Sequence, residues 1–402
     1  MKNEKTRSIL FVANQLIYGG AERYTVSVAN EFVRRGARVT VISSGGPMKN
    51  LLNKKVKHYF APVRKTSILA RLRTIQTILF ASWKERVDVI HTQSTSGSFA
   101  ARVAKIFTGT PIIKTAHGYP DGSFPSVART LNYTTDSVVM ISDWLSKRLV
   151  SFGLNKEKAM TILNGVDVNK FSQTTIDRTR MREKLGFTDK DKIIVSVSRI
   201  IPEKKFEQLI YWFPYVLAKV PNAKLLIVGD GSAEGDDYRN MLVKQTEEAG
   251  LSKSIIFLPG TDKVAEILQV ADVFCMPSVG KGFAVLEAMA AGLAVVARKP
   301  RGIADTVIDG VNGFLFSGSD WKTMAEKIIF LIENKKIARE FGTQGKLLVN
   351  SSFTLDQMMD KLEILYSKHI NKGGITQDLL SYPLPINNPS EALSSLKTAA
   401  EA

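Results

Sequence analysis

The chain of 402 residues is 44% hydrophobic and 23% charged, with one cysteine and a formal net charge of +17. This length and apolar content suffice for two domains with full cores, and the single Cys275, set in the apolar run Val-Phe-Cys-Met, excludes an internal disulfide and reads as a buried, reduced thiol. The charge is uneven: residues 1–172 hold 26 Lys+Arg against 10 Asp+Glu, the remainder 29 against 28, so the first half calls for an anionic partner surface.

No apolar run approaches the ~18 residues of a membrane span. The start, Met-Lys-Asn-Glu-Lys-Thr-Arg, lacks the apolar core of a secretion signal, and the expected location is cytoplasmic. Four histidines and one cysteine without ligand-like spacing argue against a metal site.

The first predicted strand, residues 9–13, leads into Gly19-Gly20-Ala-Glu-Arg23, which opens the first helix. Glycines there let a ligand approach the backbone, and the free helix amides face a phosphate or an acceptor. A tight strand–helix turn would use the same residues. Strands follow at 38–43 and 58–63. Residues 63–87 then place Ile68, Leu69, Leu72, Ile75, Leu79 and Trp83 at helical spacing among Arg64, Lys65, Arg71, Arg73, Lys84 and Arg86. Such a stripe suits an anionic membrane surface or, equally, the core face of an ordinary helix. Basic–aromatic interleaving of the kind that reads nucleic acid is missing.

Further strands are expected at 87–91, 112–117, 137–141 and 160–163. His117 ends one of them and can hydrogen-bond a sugar hydroxyl at the sheet edge or serve as a structural histidine; His91 holds a similar place with a weaker case. The charged stretch 169–191 marks the junction, giving a first domain of residues 1–172 and a second of 173–352.

A second strand series follows at 193–199, 225–229, 255–258, 273–276, 294–297 and 314–316. Continuous apolar strands alternating with amphipathic helices indicate parallel sheets covered on both faces, hence an α/β chain of two doubly wound, Rossmann-like domains. Arg199 ends the strand 193–199 and Lys204 opens the next helix; two cations at a parallel strand's C-terminal end suit a diphosphate and its developing charge as a leaving group. Gly282-Phe283-Ala284-Val-Leu-Glu287 is a glycine turn into a short helix carrying one carboxylate. Its free amides suit phosphate, and Glu287 one turn further in suits vicinal sugar hydroxyls. The last amphipathic helix, within 353–371, precedes a tail, 372–402, rich in Pro, Asn, Ser and Ala.

In this order, Gly19-Gly20-Ala-Glu-Arg23, Thr115-Ala-His117-Gly, Ile141-Ser-Asp-Trp-Leu, Ile162-Leu-Asn-Gly-Val-Asp, Val197-Ser-Arg199-Ile-Ile-Pro-Glu-Lys204, Ile227-Val-Gly-Asp-Gly231, Glu287-Ala-Met-Ala-Ala-Gly and Asp309-Gly-Val-Asn-Gly-Phe resemble the retaining glycosyltransferases of family 4, the group 1 glycosyl transferases. The resemblance implies two facing Rossmann-like domains of GT-B type, with a C-terminal helix crossing back to the first. It also implies transfer of a sugar from a nucleoside-diphosphate sugar to a cell-surface glycan or lipid-linked acceptor, without a metal or bound cofactor. Arg199 and Lys204 would hold the diphosphate, Glu287 the ribose, and the amides near Phe283 and Ala284 the donor. His117 would touch the transferred sugar, and loop 260–264 would read the base.

Two positions depart from the pattern. The family's other Glu falls on Val279 by count, or on Lys281 if Gly-Phe is aligned, where a cation could pair with an acidic donor sugar or the change is sequence drift in a shortened loop. Lys205 stands where a glycine commonly follows the phosphate lysine. A non-catalytic subunit that keeps donor or acceptor binding, or a nucleotide-sugar epimerase on the same plan, would share much of this pattern.

Overall fold

A computed structural model describes residues 7–172, 177–231, 235–278, 283–299 and 306–370. They form two compact units, residues 7–164 with 356–370 and residues 165–355. The polar stretch at the expected junction contains a helix of the second unit: Arg182, 3% exposed, donates to Val270 O (2.8 Å) and pairs with Asp272 (2.9 Å). Its charge therefore serves packing.

The first unit holds seven parallel strands in the order β3-β2-β1-β4-β5-β6-β7. They are β1 (Ser8–Val12), β2 (Arg38–Ser43), β3 (Lys57–Phe60), β4 (Val89–Thr92), β5 (Ile112–Ala116), β6 (Ser137–Met140) and β7 (Ala159–Thr161). The connecting helices are α1 (Gly20–Arg34), α2 (Ile68–Lys84), α3 (Thr95–Thr108), α4 (Phe124–Thr134) and α5 (Asp143–Ser151). Strands β1, β4, β5 and β6 are buried along their whole length, which is why they read as unbroken apolar runs. The chain steps outward from β1 to β3, then returns to β4 and steps the other way. Right-handed crossovers therefore place α1 on one face of the sheet and α2 to α5 together on the other.

The second unit holds six parallel strands in the order β10-β9-β8-β11-β12-β13. Along the chain it runs α6 (Val168–Ser172), α7 (Arg178–Lys184), β8 (Lys192–Val197), α8 (Phe206–Lys219), β9 (Ala223–Val228), α9 (Asp237–Glu248) and β10 (Ile255–Leu258). Then come α10 (Val264–Val270), β11 (Val273–Met276), α11 (Phe283–Ala290), β12 (Ala294–Lys299), β13 (Gly313–Ser317), α12 (Trp321–Glu333) and α13 (Lys335–Ser352). Cys275 is a buried free thiol in β11, as its setting predicts. Where the chain enters and leaves this unit the two segments pair: Val166 N donates to Phe353 O and Leu355 N to Val166 O, each at 2.9 Å. A Cβ on Gly165 would lie 2.2 Å from Thr354 O, so only glycine fits that crossing.

The last helix, α14 (Leu355–Ile370), returns to the first unit. Phe32 of α1 stacks on Tyr366 at 5.2 Å, and Arg35 pairs with Asp360 (2.5 Å) and Asp356 (3.1 Å). Tyr366 is also hydrogen-bonded to Nδ1 of His91, whose Nε2 lies 2.7 Å from Thr115 Oγ1. His91 is fully buried, and burial pulls its pKa down to about 3. The weaker sequence candidate is thus a neutral core histidine that seats α14.

Candidate functional site

In a doubly wound sheet, ligands bind beyond the C-terminal strand ends where the strand order reverses. In the second unit that point lies between β8 and β11, and three predicted residues belong to the segments that follow these two strands. Arg199 follows β8 by two residues and is exposed. Lys204 closes the short turn Pro202–Lys204, its amide donating to Ile201 O at 2.9 Å. Helix α11 follows β11 and carries Glu287, 3% exposed, with Phe283 buried and Ala284 half-buried. Lys281, Gly282 and Val279 lie outside the described residues.

Burial, and then the neighbouring Arg199 charge, lower the Lys204 pKa, with Glu203 opposing them. Among the described residues neither cation has an ion-pair partner. Two like charges held close, one of them desolvated, are relieved by a bound anion.

The loops around these cations are tied together. Ile200 N donates to Asp230 O (2.7 Å), and Gly260 N donates to Asp230 Oδ1 (2.7 Å). Asp230 thereby links the loops after β8 and β9 to the expected base-reading segment 260–264. Gly229 sits at φ 155, where a Cβ would meet Ser198 O at 1.9 Å, which accounts for Gly in Val-Gly-Asp-Gly. Lys205 has φ 58 and ψ 34, the left-handed region that glycine occupies without strain. A lysine thus stands at a position whose backbone glycine would adopt freely.

In the first unit the strand order reverses between β1 and β4. Gly19 is an extended cap of α1 (φ −173) without a side-chain cap bond, and Gly20 is exposed, so the first amides of α1 face outward. Asn14 Oδ1 after β1 accepts from Ser96 Oγ after β4 (3.2 Å) across this reversal. His117 falls one residue past β5 and is half-buried. Its Nε2 is 2.7 Å from Gln93 Oε1, and its ring meets Tyr24 edge-on at 5.2 Å.

With the Gln93 amide oxygen accepting, the ring donates this hydrogen bond from Nε2–H, the tautomer in which Nδ1 is the ring's acceptor. Gln93 escapes sequence reading because a lone amide in Ile-His-Thr-Gln belongs to no motif. Its partner lies 24 residues along the chain, which leaves no spacing to read.

Comparison with known proteins identifies the family and the fold. The pattern of the glycosyl transferases group 1 matches residues 177–348, and that of glycosyltransferase family 4 matches residues 18–170. Together they cover most of the chain. The sequence is similar to the capsular polysaccharide biosynthesis glycosyltransferase CapM of Staphylococcus aureus, 23% identical over 85% of this chain and 93% of CapM. It is also similar to the UDP-Gal:alpha-D-GlcNAc-diphosphoundecaprenol alpha-1,3-galactosyltransferase of Escherichia coli, 26% identical over 81% of this chain and 87% of that one. Among solved structures, Anabaena HepE in complex with UDP-glucose superposes with a TM-score of 0.79 at 22% identity, covering 90% of this chain and 99% of HepE. WaaG, a glycosyltransferase involved in lipopolysaccharide biosynthesis, gives 0.70 at 15% identity over 91% of this chain and all of its own. The fold is the GT-B fold, built of two Rossmann-like units.

Proposed function

The chain belongs to glycosyltransferase family 4, the group 1 glycosyl transferases, and from that premise we propose that it moves a sugar from a nucleoside-diphosphate sugar to a glycan or lipid-linked acceptor, with retention of configuration and without a metal ion. What supports this reading is the place of Arg199 and Lys204 after β8 and of α11 with Glu287 after β11, the two strands between which the order of the second unit reverses. Arg199 and Lys204 hold the pyrophosphate, and as bond breaking moves charge onto it they stabilise the leaving group as a metal otherwise would. Glu287 accepts hydrogen bonds from the ribose hydroxyls. The amides at Phe283 and Ala284 face the donor phosphates.

His117, its ring set by Gln93, contacts the transferred sugar. The leaving oxygen and the acceptor hydroxyl then lie on one face of an oxocarbenium-like centre, and retention follows. The E. coli relative is named for a diphosphoundecaprenol-linked acceptor. An acceptor of that kind, with the positive first half of this chain, supports work at an anionic membrane surface on the cytoplasmic side.

Proton NMR of the product made from an α-linked sugar donor tests the reading. The expected product shows the α-anomeric coupling from its first appearance; a β-anomer overturns retention. Donor binding with no turnover on any acceptor favours a non-catalytic subunit.

A further inference from the structure

Of the fifteen large apolar side chains that stand exposed among the described residues, eleven lie on α2, α3, α4 and the residue capping α5, the helices that share one face of the first sheet. Helix α3 presents Phe99, Val103, Ile106 and Phe107 to solvent and buries Gly97, Ala100, Ala101 and Ala104. The outward set has the spacing i, i+4, i+7, i+8 of a single helical stripe. Helix α2 repeats the inversion in part: Trp83 is 81% and Ile68 78% exposed, with Leu69, Leu72 and Phe80 also outward, while Ala70, Thr74, Ile78 and Ala81 are buried and Ile75 and Leu79 pack on the core. The sequence stripe that suited either a core or a membrane therefore faces outward over much of its length, and the adjacent packed helix extends it.

The charge on these helices is one-sided. Within α2, α3 and α4 no aspartate or glutamate occurs, whereas Arg71, Arg73, Lys84, Arg102, Lys105 and Arg129 do. Lys84 lies over the ring of Phe80 (5.2 Å) and Arg102 over that of Tyr133 (5.5 Å), so cationic heads sit among exposed rings. A surface this apolar, spread over packed helices, marks a contact site.

We propose that the outer face of α2 and α3 docks on an anionic lipid bilayer. Trp83, Ile106 and Phe107 enter the boundary between headgroups and acyl chains, and the surrounding Arg and Lys side chains meet lipid phosphates. A second copy of the chain would bring basic face against basic face across a twofold axis, which disfavours it as the occupant. No helix among the described residues is long and apolar enough to cross a membrane, so the contact is an in-plane one. The inference deepens the reading of a membrane-borne acceptor and rests on it for its purpose, but docking is measured without donor or acceptor.

Flotation of the full chain with phosphatidylglycerol–phosphatidylcholine vesicles tests it. The parent is expected to float with anionic vesicles, to be released by high salt, and to bind pure phosphatidylcholine at least about tenfold more weakly. Trp83→Ser with Phe107→Ser, both highly exposed and hence without effect on the melting point, is expected to weaken partitioning by about tenfold or more. Arg71→Glu with Arg73→Glu is expected to do the same through charge alone.

Equal binding to neutral and anionic vesicles, unchanged binding in both double variants, or a parent dimer that the serine variant dissociates would each overturn the proposal. Binding of UDP and GDP is followed in parallel in the same variants. Docking without nucleotide binding would leave this proposal standing while the donor reading falls, and the converse would do the opposite.

Discussion

Replacing Lys204 by alanine is expected to weaken binding of the nucleoside diphosphate that the parent protein accepts by about 30- to 3,000-fold, the range for removing one partner of a buried, hydrogen-bonded charge pair. The reason is local. Lys204 is half-buried, and partial burial and the nearby Arg199 both lower the pKa of its amine, so in the free protein its charge is disfavoured twice, by lost hydration and by repulsion. A pyrophosphate reverses both effects, and the gain on binding exceeds that of a solvated surface lysine.

The sign of the pH dependence follows. The free-state pKa of Lys204 is lowered by burial and Arg199, and a bound dianion raises it again. Binding therefore takes up protons as the pH passes through the lowered pKa, and affinity falls as the pH rises through it. Isothermal titration in buffers of differing ionisation heat measures this uptake. Arg199→Ala, which removes one cation but also relieves repulsion on Lys204, is expected to weaken binding while reducing proton uptake.

Lys114→Met is expected to stabilise the protein by about 2–4 kcal/mol near neutral pH. Lys114 lies in the middle of β5, 2% exposed, with its amine donating to Thr115 O at 3.2 Å. Burial lowers its pKa from 10.5 to about 7. Between these values the unfolded chain carries a proton that the folded chain has shed, so stability climbs with pH across that window. Below it the full penalty of a buried ammonium remains. Methionine has a similar length and no charge to desolvate. Thermal unfolding from pH 7 to 10 should therefore show a rising midpoint in the parent and a flatter one in the variant; a less stable variant would show that the amine is satisfied by its surroundings.

Most of the fold was legible because parallel strands covered on both faces must be apolar throughout. Each of the thirteen strands among the described residues overlaps an apolar run in the sequence, with ends differing by a few residues. At 58–63 the run continues past β3 (Lys57–Phe60) because Ala61 and Val63 are buried in the connection beyond the strand. Burial without a ladder looks the same in a sequence.

The candidate site of the second unit was readable as a position for a related reason. Arg199 follows an apolar strand and Glu287 follows a glycine turn into a helix, so the strand pattern puts Arg199 at a strand's C-terminal end and the turn puts Glu287 in the first turns of the helix after β11. The supporting residues were not. Asp230 acts through the amide of Gly260, thirty residues away, and Gln93 acts through the ring of His117; neither partnership leaves a spacing signal.

The face of α2 and α3 was hidden for the opposite reason. Large apolar residues at helical spacing read as core, and only the structure shows that glycine and alanine take the core side of α3. His91 misleads in the same way, since a strand-end histidine and one sealed beneath Tyr366 share one local sequence.

The most direct measurement is the crystal structure of the protein with an intact nucleoside-diphosphate sugar. Pyrophosphate oxygens within about 2.7–3.2 Å of both the Arg199 guanidinium and the Lys204 amine, with the ribose hydroxyls on Glu287, are the predicted result. A donor seated elsewhere, or one whose pyrophosphate touches neither cation, would contradict the account.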